Sequence, residues 1–443
     1  MALAKSAHTT IEPTIAFKSS SKSESEASFP HRALIREFKM ETRASQYSEP
    51  MSNAAPVIVI APDSLKGSCS SPEAAHAMAA GVRSALGDAV EVREIPLADG
   101  GEGSLEALVT SWGGRIAEVP TTDALGRNHT GRVGFASQGH DVGTAIIETA
   151  DANGLPLVSD QPLHALDADS AGVGALILAA LDAGATELLL CLGGSATSDG
   201  GAGMLRALGA RLLDVAGQPI APGARGLGDL AQIDLTALDP RARTASWRIA
   251  CDVDNPLLGE RGAAAVFGPQ KGATPDDVAD IDAGLENLAE VLATATGVDS
   301  AALRSQAGLG AAGGLALGLV ALCDAELLPG STLISEAVGL AEALDGADLV
   351  ITGEGRFDSQ SLDGKVVSQV LADAGSDTPI VVIAGSVGLS AVQTREAGIT
   401  AALSIAQGPA ALESLQAECA ELLAEAAAHV SALFAAGRAT GGR

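Results

Sequence analysis

Lysine is almost missing from most of this chain. After residue 50 only Lys66, Lys271 and Lys365 remain, and the other cations there are Arg. Lys is therefore not used as a generic solubiliser, and each of the three stands beside a glycine, in LKG, QKG and GKV. A compact ammonium next to flexible backbone suits phosphate chemistry. The five cysteines (Cys69, Cys191, Cys251, Cys323 and Cys419) show no CxxC and no paired spacing, so they read as reduced cytosolic thiols. The seven histidines form no HxxxH pair, and His76, His129 and His140 read as solvated side chains rather than catalytic ones. No run of 18 apolar residues occurs; the nearest, residues 311–323, is short and broken by glycine, which argues against a membrane span.

Positive charge as a whole is scarce. The formal net charge of −28 argues against nucleic acid and anionic membrane surfaces as partners. It leaves an anionic substrate open, because charges more than about 8 Å apart are largely screened. A phosphate site here has to be made locally, from Lys, Arg, metal and backbone N–H.

A chain of 443 residues with 47% hydrophobic content points to two domains with real cores. Residues 1–50 differ from the rest, with nine serines and four of the seven lysines. They lack the apolar stretch of a secretory signal. We read residues 1–55 as a disordered tail, a targeting segment, or sequence ahead of a start at Met40 or Met51. The third is favoured because residues 51–55 run straight into the first strand.

The chain is organised around residues 188–214. A buried apolar run, 188–192, reads as a strand, and Met204, Leu205, Leu208, Leu212 and Leu213 follow at helical spacing. Between them lies Gly193-Gly194-Ser195-Ala196-Thr197-Ser198-Asp199-Gly200-Gly201. Such a turn aims free N–H groups and a helix N-terminus at one point, an anion-binding arrangement. Asp199 suits either a helix cap or a cation ligand.

Comparable turns recur. VIVIA at 57–61 runs into Asp63, Ser64 and Lys66, with Ser71 read as the N-cap and Pro72 as N1 of the next helix. The strand 91–97 leads to Asp99-Gly100-Gly101-Glu102, two acids that suit Mg²⁺, a substrate hydroxyl or helix capping. Residues 115–147 alternate, with turns at 125–127 and 138–140, and read as a partly antiparallel lobe. Strand 247–251 is followed by Asp252 and Asp254, which an irregular turn could converge on a metal. Gly308-Leu309-Gly310-Ala311-Ala312-Gly313 matches G-x-G-x-x-G, but no strand precedes it, so close backbone packing is the better reading. Strand 348–352 feeds a turn at 353–360 carrying Glu354, Arg356 and Asp358, with Lys365 opening a helix. Strands 380–384 and 401–405 and a terminal helix 412–434 complete a parallel set.

These residues resemble the type I glycerate kinase family over nearly everything past residue 57. The motifs, in the family's order, are APDSLKG at 61–67, ADGGEG at 98–103, GGSATSDGGAG at 193–203, CDVDNPL at 251–257 and FGPQKGA at 267–273. GLGAAGG at 308–314 and TGEGRFDSQSLDGK at 352–365 complete them. The resemblance implies an α/β fold of two domains: a discontinuous Rossmann-like parallel-sheet domain (56–114 and 301–443) interrupted by an inserted mixed α/β domain (115–300).

It also implies ATP-dependent, Mg²⁺-assisted phosphorylation of D-glycerate at the 2-hydroxyl, in a cytoplasmic protein for which a homodimer is open. On this reading Gly193, Gly194, Ser195, Thr197, Lys271 and Lys365 hold nucleotide phosphates. Asp199, Asp252, Asp254 and Glu354 supply metal ligands. Ser64, Lys66, Glu102 and Arg356 bind glycerate, with Lys66 and Arg356 also meeting the transferring group. Asp63 or Asp99 orients or deprotonates the hydroxyl, and adenine packs between aliphatic side chains. Two alternatives remain: a kinase for another small hydroxy acid, and a non-catalytic nucleotide- or anion-binding regulator on the same scaffold.

Overall fold

Two sheets, each with its strand ends turned toward a common cleft, account for most of the fold. The computed structural model describes residues 55–137, 143–362 and 364–441. The expected tail and the expected turn at 138–140 lie outside the described residues. The described residues form one compact unit.

In chain order the strands are β1 (Val57–Pro62), β2 (Glu91–Glu94), β3 (Arg115–Thr122), β4 (Asn128–Phe135), β5 (Thr144–Glu148), β6 (Glu187–Cys191) and β7 (Arg211–Leu213). Then come β8 (Gln232–Asp234), β9 (Ser246–Ala250), β10 (Glu326–Leu328), β11 (Leu349–Phe357), β12 (Ile380–Val387) and β13 (Ala401–Ser404). The first sheet has the order β13-β12-β11-β1-β2 and is parallel throughout. Helices cover both faces of such a sheet, which is why VIVIA and IVVIA read as unbroken apolar runs rather than alternating ones. The chain leaves β1 for β2 on one side and later returns as β11 on the other. The carboxyl ends of β1 and β11 therefore flank a topological switch point, where open α/β sheets hold ligands.

The second sheet has the order β10-β9-β6-β5-β4-β3, parallel from β5 to β10 and antiparallel across β3, β4 and β5. β7 and β8 form a separate antiparallel pair. We propose the two sheets as the centres of the two expected domains, with the boundary past residue 300 moved to take β10 into the second.

Local structure departs from the sequence reading in instructive ways. The helix Ser71–Leu86 is capped by Ser70, not Ser71: Ser70 accepts from the Glu73 N–H and the Glu73 carboxylate returns to the Ser70 N–H at 2.9 Å. β2 stops at Glu94 because Pro96 has no N–H, although the Ile95 and Leu97 N–H groups still reach Ile60 and Pro62 at 2.8 and 2.9 Å. β11 runs on through Glu354 and Arg356, its pairing with β12 reaching Phe357, so the expected turn at 353–360 is half strand.

The terminal helix is broken at Glu418 into Leu412–Ala417 and Cys419–Gly441. The second piece is long and apolar enough, by length and composition, to cross a membrane. It instead lays Cys419, Leu423, Ala427 and Val430 on the helix Ser71–Leu86, close enough that a Cβ on Gly81 would meet the Ala424 carbonyl.

Candidate active site

Turns from both sheets line one cleft of about 450 Å³. Lys66 comes from the turn after β1, and Asp99, Gly101 and Glu102 from the turn after β2. Glu148 ends β5, Cys191 to Gly194 end and follow β6, and Asp252 follows β9. On one side, past Lys66, Glu102 and Arg132, the cleft opens into a recess of about 240 Å³ walled by Ser64, Ser68 and Ser70. On the other, past Leu192, Gly193 and Gly194, it opens into a recess of about 310 Å³ with Leu155, Val253, Phe267, Gln270, Lys271, Ala311 and Ala312. A larger hollow of about 870 Å³ at the β3–β4 hairpin is an open furrow with no acid, Lys or Arg in its wall, and we give it no chemistry.

The turn after β2 is held in place by close packing. Gly100 has φ +83°, and a Cβ there would lie 2.6 Å from the Gly330 Cα, so only glycine lets the two backbones meet. Neither Asp99 nor Glu102 caps the helix Ser104–Ser111. Glu148 does so from a distance, its Oε1 accepting the N–H groups of Gly103 at 3.0 Å and Leu105 at 2.8 Å. Asp252 plays a matching part for the helix Gly330–Val338, accepting the Gly330 N–H at 2.7 Å.

The cleft gathers acids. Burial, reinforced by Asp99, pushes the Asp63 carboxyl up to about 7, against the Ser64 N–H and Lys66, which pull it down. Burial likewise raises Glu354 and Glu148 to about 7 and Asp252 to about 6. Asp99 contributes to the rise at both Asp252 and Glu354, and Lys365 opposes it at both, which puts Lys365 in the same neighbourhood. The ammonium groups of Lys66 and Lys365 form no hydrogen bond or ion pair among the described residues, and neither do the backbone N–H groups of Gly193, Gly194 and Ser195. In a chain of this negative charge, cations and N–H donors left unpaired in a cleft are set to receive an anion.

Other expected residues are placed elsewhere. Asp199, read as a cap or metal ligand, is fully buried, and its carboxylate takes the N–H and hydroxyl of Ser170 and the N–H groups of Gly201 and Gly203 at 2.8–3.1 Å. It fills the N-terminus of its own short helix (Ala202–Ala207), so that end is closed to a second anion. Thr197 is buried with its hydroxyl accepting from Asn153 at 2.9 Å. Lys271 lies beneath the same turn, donating to Ser195 Oγ at 3.2 Å and to the Thr197 carbonyl at 2.6 Å. Arg356 is exposed and bound to Asp358 at 2.9 Å, and Asp254 is exposed and bound to Arg261 at 2.8 Å. β9 ends at Ala250, and the irregular turn beyond it sets Asp252 in the cleft wall and turns Asp254 away to Arg261.

Three charged residues of the main cleft wall escaped the sequence reading: Arg132, Glu148 and Asp151. Arg132 forks onto Asp151 and Glu106 at 2.8–3.3 Å. The available signal was an acid closing the buried strand TAIIE, the position held by Asp63 and Asp252 just beyond their own strands.

Among the described residues no three His, Cys, Asp or Glu side chains form a ready-made metal cage. One atom nevertheless asks for a cation: Glu354 Oε1 is buried with no hydrogen-bond partner. A hard divalent ion satisfied jointly by carboxylate and phosphate oxygens fits such a donor set.

Comparison with known proteins bears on most of the chain. The model of the glycerate kinase family matches residues 58–435. The chain is 44% identical over 376 residues to a glycerate kinase of Bacillus subtilis (strain 168), spanning 85% of this chain and 97% of that one. It is 40% identical over 386 residues to the glycerate 2-kinase of Escherichia coli (strain K12), covering 87% and 100% of the two. A crystal structure from Salmonella typhimurium LT2 that bears the name glycerate kinase 2 superposes with a TM-score of 0.77 at 43% identity, over 87% of this chain and 99% of that one.

Proposed function

The chain belongs to the glycerate kinase family, and from that premise we propose that it transfers the terminal phosphoryl group of ATP to the 2-hydroxyl of D-glycerate, giving 2-phosphoglycerate. The observation that carries this reading is the convergence of turns from two sheets on one acidic cleft that keeps Lys66 unpaired. Phosphoryl transfer needs in-line positioning and neutralised charge more than covalent chemistry.

The nucleoside occupies the 310 Å³ recess, where Leu155, Leu192, Val253, Phe267, Ala311 and Ala312 offer apolar walls to a base. Ala312 adopts φ +49°, a strained conformation for a residue with a side chain, of the kind found at ligand sites. The triphosphate passes the free N–H groups of Gly193 and Gly194 into the main cleft. Glycerate enters from the opposite recess, its carboxylate against Lys66, with Ser64, Ser68 and Glu102 lining its path. Lys66 and Lys365 face the transferring group from the first-sheet side.

Asp99, which lines the cleft, orients the attacking hydroxyl and takes its proton, while the buried Asp63 carboxyl, raised to about 7, is less suited to stay ionised for that role. Asp252 and Glu354 would hold Mg²⁺ together with the nucleotide. When bound, the ion supplies neutralisation of phosphate charge. Asp199 and Asp254 drop out of this set because their carboxylates are engaged elsewhere, and Arg356 leaves the substrate site for the same reason.

A coupled assay for ADP release with D-glycerate tests the activity. Adding enolase without a mutase tests the product, since enolase dehydrates only 2-phosphoglycerate. ADP release with a different hydroxy acid but not glycerate would reassign the substrate, and none with any acid would leave a binding protein.

A further inference from the structure

β5 ends on Glu148, whose carboxyl group serves two directions. Oε1 caps the helix Ser104–Ser111 through the N–H groups of Gly103 and Leu105 at 3.0 and 2.8 Å, because the residue before that helix, Gly103, has no side chain to do so. Oε2 takes no hydrogen bond among the described residues. Glu148 nevertheless belongs to the cleft wall, beside Lys66, Asp99 and Glu102. The guanidinium of Arg132, in the same wall, is turned to Asp151 and Glu106 instead.

The position is central to the site. The buried thiol of Cys191, at the end of the neighbouring strand, is raised first by burial and then by Glu148, with Asp252 and Asp99 adding to it. Glu148, Asp99 and Asp252 all line the cleft together with Cys191, at the end of β6. A cap needs only one neutral acceptor, which Gln or Asn could supply without placing a second oxygen in a site only 5% exposed. The second oxygen is the part that capping does not explain.

We propose that Glu148 is a substrate-contacting residue whose Oε2 accepts the hydrogen bond of the acceptor hydroxyl that is not phosphorylated, so that the site selects dihydroxy acids over monohydroxy acids of the same length. This rests on reading the cleft as a glycerate kinase site. The physical basis is asymmetric: a substrate that lacks the hydroxyl leaves a desolvated carboxylate oxygen unpaired, which costs far more than a missing methylene.

The test compares D-glycerate with D-lactate, which keeps the 2-hydroxyl and lacks the 3-hydroxyl. The intact wild-type chain is expected to prefer D-glycerate in kcat/KM by at least about a hundredfold. Glu148→Gln keeps an acceptor for Gly103 and Leu105 but turns a donor toward the substrate. It is expected to shrink that preference by about tenfold or more, chiefly by lowering kcat/KM for glycerate. Glu148→Asp, which keeps the carboxyl group but withdraws it by one methylene, should narrow the preference in the same sense. Equal use of both acids by the wild type overturns the proposal without any variant. So does a fall in both activities by the same factor in Glu148→Gln, the signature of a purely structural cap. Absence of glycerate-dependent ADP release in the wild type overturns the parent reading, and this inference with it.

Discussion

Lys271 Nζ donates to the main-chain carbonyl of Thr197 across 2.6 Å, and to Ser195 Oγ at 3.2 Å, from a position only 2% exposed. Burial lowers this ammonium to about 8, with Asp199 pulling the other way. The lysine is thus built into the underside of the turn whose upper side presents Gly193 and Gly194 to the cleft. Lys271→Met keeps the stem and removes the donors, leaving a buried carbonyl and the Asp199 carboxylate without their cation. We expect a loss of about 2–4 kcal/mol in urea unfolding, with KM for ATP rising in the fraction that folds. Unchanged stability would mean that the turn stands without this brace.

Lys66 and Lys365 contrast with it, since their ammonium groups meet no partner among the described residues. If they face developing phosphate charge, alanine at either should lower kcat by about 10²–10³. A change of less than about threefold at both would remove them from the mechanism.

Asp63 and Asp99 can be told apart by kinetics and by pH. Asp99→Asn is expected to cut kcat while leaving glycerate binding intact, whereas Asp63→Asn should alter both less. For stability the sign follows from Asp63 being raised, to about 7 when folded against about 3.9 unfolded. Its stabilising contribution is present below about 4 and lost as pH rises through about 7. Asp63→Asn should therefore raise Tm over wild type by about 2–5 °C at pH near 8, and the gain should shrink steadily as pH falls toward 4. Thermal scans across that range decide it, and a gain independent of pH would contradict a burdened carboxyl.

Arg356 and Asp254 mark where sequence reasoning ran out. The parallel strands were legible because a sheet covered on both faces demands unbroken apolar runs. The site turns were legible because each follows such a run and two of them carry the chain's scarce lysines. Side-chain direction was not. Glycines at 353 and 355 read as a turn, yet β11 continues and leaves Arg356 exposed on Asp358. Asp252 and Asp254 look equivalent until the strand ends at Ala250. Glu148 caps a helix that begins 44 residues earlier in the chain, a contact that no local pattern encodes. Arg356→Ala and Asp254→Asn are accordingly expected to change kcat/KM by less than about threefold, as exposed ion pairs contribute little. A large loss at either would return it to the site.

Asp199→Asn gives the sharpest separation between a ligand for metal and a structural acceptor. The carboxylate accepts from the Ser170 N–H and hydroxyl and from the Gly201 and Gly203 N–H groups, all buried. Asparagine offers one oxygen and replaces the other with an NH₂ group aimed at donors, so at least one buried N–H loses its acceptor and another meets a like dipole. Burial, and after it Asp169 nearby, already raise Asp199, so some relief from charge partly offsets that loss. The missing hydrogen bonds weigh more, because several donors depend on one group. We expect a net destabilisation of about 1–3 kcal/mol, measured by urea unfolding. Because Asp199 does not reach the cleft, the dependence of activity on Mg²⁺ concentration should stay as in the wild type. A shifted Mg²⁺ requirement with unchanged stability would make Asp199 a metal ligand after all.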